Sequence, residues 1–167
     1  MLDAGLEAGD RLAIMARTRY EWTLLDFATW VAGGVPVPIY ETSSAEQVEW
    51  ILKDSGTRFV VVETVNHERV ATEARGNVGG VSELWVIDNG DLDRLAEAGS
   101  TISDEDLDAR IAAQGRDSLA TIIYTSGTTG RPKGCELTHD NFYALAENAI
   151  AKLGEVLNQD DAATLLF

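Results

Sequence analysis

Within 167 residues, the side chains able to do chemistry concentrate in one run, positions 120–134. Thr125, Ser126, Thr128 and Thr129 place four hydroxyls around Gly127 and Gly130, and Arg131, Pro132, Lys133 and Gly134 close the run. Glycines let a backbone turn sharply and carry its N–H groups close to phosphate oxygens. Hydroxyls add donors, and a lysine adds a mobile positive charge. The apolar, β-branched lead-in Thr121-Ile122-Ile123 suits a buried strand that delivers this loop. The chemistry predicted is the grip of a polyphosphate.

Two familiar phosphate loops do not fit. The Walker pattern needs glycines five apart and then Lys-Ser/Thr at a helix start. Here Gly130 comes too early, Pro132 precedes Lys133 and Gly134 follows it. The dinucleotide fingerprint fails on its glycine spacing. What the run closely resembles is the signature of the adenylate-forming enzymes: acyl-CoA synthetases, luciferases and peptide-synthetase adenylation domains. Every position from Ile122 to Lys133 agrees with it, and Leu137-Thr138-His139 with Asn141 continues it. Upstream, Gly9-Asp10-Arg11-Leu12-Ala13-Ile14 is similar to an early strand of that family. Tyr40-Glu41-Thr42-Ser43 and Cys135 after Lys133-Gly134 look like the bacterial long-chain fatty acyl-CoA synthetases.

The resemblance implies an enzyme that uses ATP, Mg2+ and CoA to turn a fatty acid into its CoA thioester, releasing AMP and pyrophosphate. It implies that Thr125, Ser126, Gly127, Thr128, Thr129, Gly130, Lys133 and Gly134 hold the ATP phosphates. Lys133 would neutralise charge that shifts onto pyrophosphate as it leaves. His139 would lie near the active-site cleft, and Arg131 would take a solvent-exposed role. The family's adenine, ribose and Mg2+ ligands and its C-terminal lysine would lie beyond residue 167. Residues 1–167 are therefore expected to be part of a large N-terminal AMP-binding domain, inactive alone and open to self-association. Two alternatives stay open: an adenylating enzyme for aryl, amino or short-chain acids, and a non-catalytic nucleotide-binding or interaction module.

A net charge of −15, from 13 basic and 28 acidic residues, argues against non-specific binding to nucleic acid or anionic membranes. The acid excess lies upstream, with 9 basic and 21 acidic residues over 1–115. Over 118–140, Arg131 and Lys133 balance Glu136 and Asp140, so the phosphate run keeps its local positive charge. One cysteine, Cys135, excludes an internal disulfide and is expected as a small buried hydrophobe. Two separate histidines and that cysteine offer no metal cluster, and His67 is expected at the surface. No stretch is long and apolar enough to read as a membrane span, and a cytoplasmic location is expected. A complete enzyme handling fatty acids could still touch membranes through other parts.

The elements that must position the run alternate in type. Strands are predicted over Arg11–Ala16, Val35–Ile39, Phe59–Glu63, Leu84–Ile87, Leu119–Tyr124 and Thr164–Phe167. Helices are predicted over Glu21–Ala32, Ala45–Ser55, Val65–Arg75, Leu92–Ala98, Asp104–Gln114 and Asp140–Leu157. Ser44 with Gln47 forms a capping box for the second helix, and Gly56 stops it. Short runs such as Phe59-Val60-Val61-Val62 suit strands covered on both faces. The fold class is α/β, a layered and mostly parallel sheet with flanking helices. Residues 89–118 are expected to be a variable connector, and the four tryptophans to pack in the core.

Overall fold

A computed structural model describes residues 1–125 and 131–153. The chain opens with β1 (Arg11–Met15), α1 (Tyr20–Val31), β2 (Val35–Ile39), α2 (Ala45–Ser55), β3 (Phe59–Val62), α3 (Val65–Gly76) and β4 (Glu83–Val86). The four strands form one parallel sheet in the order β2-β1-β3-β4. Travel along the sheet reverses after β2. Right-handed crossovers therefore place α1 on one face and α2 and α3 on the other.

Alternating side chains fill both layers. Ala13, Met15, Val60 and Val62 pack with Val48, Ile51 and Leu52 of α2 and with Ala71 and Ala74 of α3. Leu12, Ile14, Phe59 and Val61 face the opposite way, with Leu6, Leu25 of α1 and Ile87. Burial on both faces is why β1 and β3 read as unbroken apolar runs.

Local chemistry fixes α2 at both ends. The Gln47 amide N–H donates to the Ser44 hydroxyl and the Ser44 N–H donates back to the Gln47 side chain, a complete capping box. Gly56 ends the helix at φ +64°, a conformation that favours glycine. The Arg11 guanidinium donates to the Ser55 and Gly56 carbonyls, placing positive charge at the negative end of the helix dipole.

Residues 89–118 carry α4 (Asp91–Ala98) and α5 (Asp104–Ala112), capped at Ser103 as its spacing predicts. The chain then forms β5 (Leu119–Thr125), β6 (Lys133–Thr138) and α6 (His139–Leu153). β5 and β6 make a separate antiparallel pair. β6 is a difference from the sequence expectation, which passed from the loop straight to the helix. The expected strand at Thr164–Phe167 and the end of the last helix at Leu157 lie outside the described residues.

Candidate active site hairpin

The register of the β5–β6 pair sets Thr125 opposite Lys133, Tyr124 opposite Gly134 and Ile123 opposite Cys135. Both ends of the phosphate run thus meet across the hairpin. Thr125, Lys133 and Gly134 are all exposed. Ser126, Gly127, Thr128, Thr129 and Gly130 lie outside the described residues. Gly134 is a glycine for a steric reason: an added Cβ would stand 2.9 Å from Cγ2 of Ile122 and 3.2 Å from Cζ of Tyr124. The tyrosine ring lies across that position.

Side-chain bonds seat the hairpin on the rest of the fold. Pro36 and Pro38 face away from β1, so the outer edge of β2 lacks two ladder donors. β5 uses that edge differently: the Thr121 hydroxyl donates to the Pro36 carbonyl at 2.9 Å. The Trp30 indole of α1 donates to the Ala120 carbonyl at 2.6 Å. From α2, the Trp50 indole donates to the Pro132 carbonyl at 2.8 Å, and Asp54 accepts from the Tyr124 hydroxyl at 2.7 Å. Burial, then the Asp54 hydrogen bond, holds the Tyr124 phenol above its ordinary range. Arg131 is exposed, as expected, and its guanidinium sits 4.6 Å from the centroid of the Trp50 ring.

His139 stands at the other end of β6, where its amide N–H donates to Ser118. Five strand residues lie between it and Lys133, and the six steps span roughly 20 Å at strand spacing. The structure therefore does not bring these two together. His139 packs edge-on against Trp30, with ring centroids 5.5 Å apart, and burial lowers its pKa. Beside it Arg116 pairs with Asp140 and Glu147 and covers the Tyr143 ring.

Two expectations are corrected. Cys135 is exposed, because among the described residues β6 has a strand neighbour on one side only and its burial lies mostly at its C-terminal end. His67 is half-buried, with its backbone N–H tied to the Thr64 hydroxyl that caps α3. The tryptophans are partly buried: Trp22, Trp50 and Trp85 pack against the core as expected, and Trp30 and Trp50 turn their indole N–H groups to hairpin carbonyls.

An ionic cluster at the carboxyl ends of β1 and β3 had no sequence signal. Glu63 is 1% exposed and accepts from the backbone N–H of Arg17 at 2.9 Å and from its guanidinium at 2.7 Å. Arg19 reaches the same carboxylate at 3.4 Å and also pairs with Glu21 and Asp88. The hydrogen bonds from Arg17 draw the Glu63 pKa down to about 2. Three carboxylates against two arginines leave this cluster unsuited to an anion.

Among the described residues, no group of three or more His, Cys, Asp or Glu side chains could hold a metal ion. Among the same residues, no helix is long and apolar enough to cross a membrane.

A parallel α/β layer that offers a hydroxyl- and lysine-bearing hairpin matches one class of protein along almost its entire length. The chain belongs to the AMP-binding enzyme family, matched over residues 1–166. It is 50% identical over 144 residues to the long-chain-fatty-acid–CoA ligase FadD15 of Mycobacterium bovis, covering 84% of this chain and 24% of that protein. A solved fatty acyl CoA synthetase of Mycobacterium tuberculosis superposes with a TM-score of 0.70 at 28% identity, over 90% of this chain and 28% of that one. ATP-bound MatB from Rhodopseudomonas palustris gives 0.65 at 29% identity, over 90% of this chain and 29% of that one. The chain thus spans about a quarter of the length of the curated relatives it matches.

Proposed function

We propose that this chain is the phosphate-gripping part of an ATP-dependent, AMP-forming long-chain fatty acid–CoA ligase. The half-identity to a long-chain ligase carries the substrate class, and the Thr125–Lys133 register carries the role of the hairpin. In the first half-reaction a fatty carboxylate oxygen bonds to the α-phosphorus of ATP, and the bond to the bridging oxygen breaks. Acyl-adenylate and pyrophosphate result. In the second, the thiol sulfur of CoA bonds to the acyl carbon, loses its proton and expels AMP.

The chain's own contribution belongs to the first half. Hydroxyls at Thr125, Ser126, Thr128 and Thr129, with backbone amides freed by Gly127, Gly130 and Gly134, would hold the β- and γ-phosphates. Held there, the α-phosphorus faces the incoming carboxylate, which is catalysis by positioning. The Lys133 ammonium would balance the charge that accumulates on departing pyrophosphate. The local neutrality of 118–140 within an acidic chain supports that role. Residues 1–167 would form part of the large N-terminal domain, with 89–118 as its connector, working in the cytoplasm where ATP and CoA are available.

The test is Lys133→Ala in the complete enzyme. ATP–pyrophosphate exchange should fall by about 100- to 1,000-fold, while CoA acylation from preformed acyl-adenylate holds. Unchanged exchange would overturn the role. A panel of long-chain, short-chain, aryl and amino acids in the same exchange assay tests the acyl group. Preference for anything other than long chains would correct the substrate.

A further inference from the structure

Both described feet of the phosphate run rest on one helix. At the β5 foot, Tyr124 is 7% exposed and its hydroxyl reaches Asp54 of α2 at 2.7 Å. At the β6 foot, the Trp50 indole holds the Pro132 carbonyl at 2.8 Å, and the same ring lies beneath Arg131. Trp50 and Asp54 are four residues apart, so one face of α2 carries both contacts. The sequence separations are 82 residues for Trp50–Pro132 and 70 for Asp54–Tyr124, so neither contact is local to the hairpin.

Lys133 sits between these fixtures. Pro132, on one side of it, is pinned through its carbonyl, and Pro132 has no N–H with which to join a ladder. Gly134, on the other side, lies against the ring that Asp54 holds in place, which occupies the space a Cβ would need. An indole N–H is a donor only and rides on a rigid ring, so it sets a carbonyl's position more narrowly than a flexible side chain could. The Arg11 contacts brace α2 at the end that carries Asp54.

We infer that Trp50 and Asp54 are positioning residues for adenylation: through Pro132 and Tyr124 they fix where Lys133 stands relative to the ATP phosphates. This rests on the phosphate role proposed above for residues 125–134. The ordinary alternative is that the two contacts only add packing, in which case every step would suffer alike as the fold weakens.

Trp50→Phe and Tyr124→Phe in the complete enzyme separate the two, since each keeps its aromatic ring and loses one donor. For each variant, kcat/KM for ATP in pyrophosphate exchange should fall roughly tenfold, the displacement of a reacting group being costly at this scale. The KM for the fatty acid and the rate of CoA transfer from synthetic acyl-adenylate should stay at wild-type values, with the thermal midpoint lowered by no more than the loss of one hydrogen bond. The double variant should fall further in exchange alone. Wild-type exchange in both single variants would overturn the inference, as would a parallel loss of both half-reactions with a lowered midpoint. Lys133→Ala run alongside keeps the failures apart. If Lys133→Ala is crippled while the aromatic variants are normal, only the positioning role falls; if Lys133→Ala is itself normal, the phosphate role falls first.

Discussion

All four residues of β3 are buried, while four of the six residues of β6 are exposed. β3 runs between β1 and β4 with helices over both faces. Burial alone selects its residues, and Phe59-Val60-Val61-Val62 satisfies that demand by shape and apolarity. Among the described residues β6 pairs with β5 alone, and its residues answer to particular neighbours. Gly134 is set by the Tyr124 ring, and the Pro132 carbonyl before β6 by an indole. The sheet is held by area removed from water, the hairpin by a few directional bonds. Area is tolerant of exchange among apolar side chains, whereas directional bonds place atoms. Stability and the placement of chemistry should therefore separate on mutation.

The largest effect expected on stability is in the sheet. Phe59 is fully buried and stacks on Trp85 at a centroid distance of 6.0 Å. Phe59→Ala should lower unfolding free energy by about 3–5 kcal/mol, read from the urea midpoint. Lys133→Ala, at an exposed site, should move the same midpoint by less than about 0.5 kcal/mol. Equal losses at the two positions would erase the contrast between sheet and hairpin.

That contrast also explains what could be read from residues alone. β1, β2 and β3 were legible because two-sided burial writes short apolar runs into the chain, and α2 because Ser44, Gln47 and Gly56 mark its limits. Thr125, Lys133 and Gly134 were legible as candidate residues because a phosphate loop needs those types in order. β6 was not, because Lys-Gly-Cys-Glu-Leu-Thr is a hairpin strand whose exposed residues leave no periodic pattern. Cys135 was misjudged for the same reason: the usual burial of cysteine fails on a strand with an open face. Trp50 and Asp54 read as ordinary helix residues, since their partners lie 82 and 70 positions away. The Glu63 cluster joins strand ends that only the parallel register brings together.

Glu63 tests whether the sheet end of the comparison is wholly apolar. Its carboxyl, at about 2 in the fold, lies below the ordinary value of 4.5 because Arg17 donates to it. A depressed folded pKa contributes stability that is complete above about pH 4.5 and is lost as pH falls toward 2. Arg17 is largely exposed, so solvent screens the pair and the contribution is on the order of 1–2 kcal/mol. Glu63→Gln should therefore be less stable than wild type by that amount at neutral pH, with the gap closing between pH 4.5 and 2. Urea midpoints measured across that range provide the check. A gap that stayed constant with pH would mean that Glu63 acts by shape rather than charge.

Ser44 carries the smallest loss expected from a removed contact, and it sharpens the comparison where its two halves meet. α2 belongs to the sheet through Val48, Ile51 and Leu52 and to the hairpin through Trp50 and Asp54. Ser44→Ala removes the hydroxyl that accepts from Gln47 and should cost about 1 kcal/mol. The loss falls on the first turn, whereas Trp50 lies in the middle of the helix and Asp54 near its end. Thermal melting of the complete enzyme should register the change while pyrophosphate exchange stays at the wild-type rate. Slowed exchange would mean that the helix as a whole, rather than its two contacts, governs the hairpin, and that sheet and hairpin are one mechanical unit.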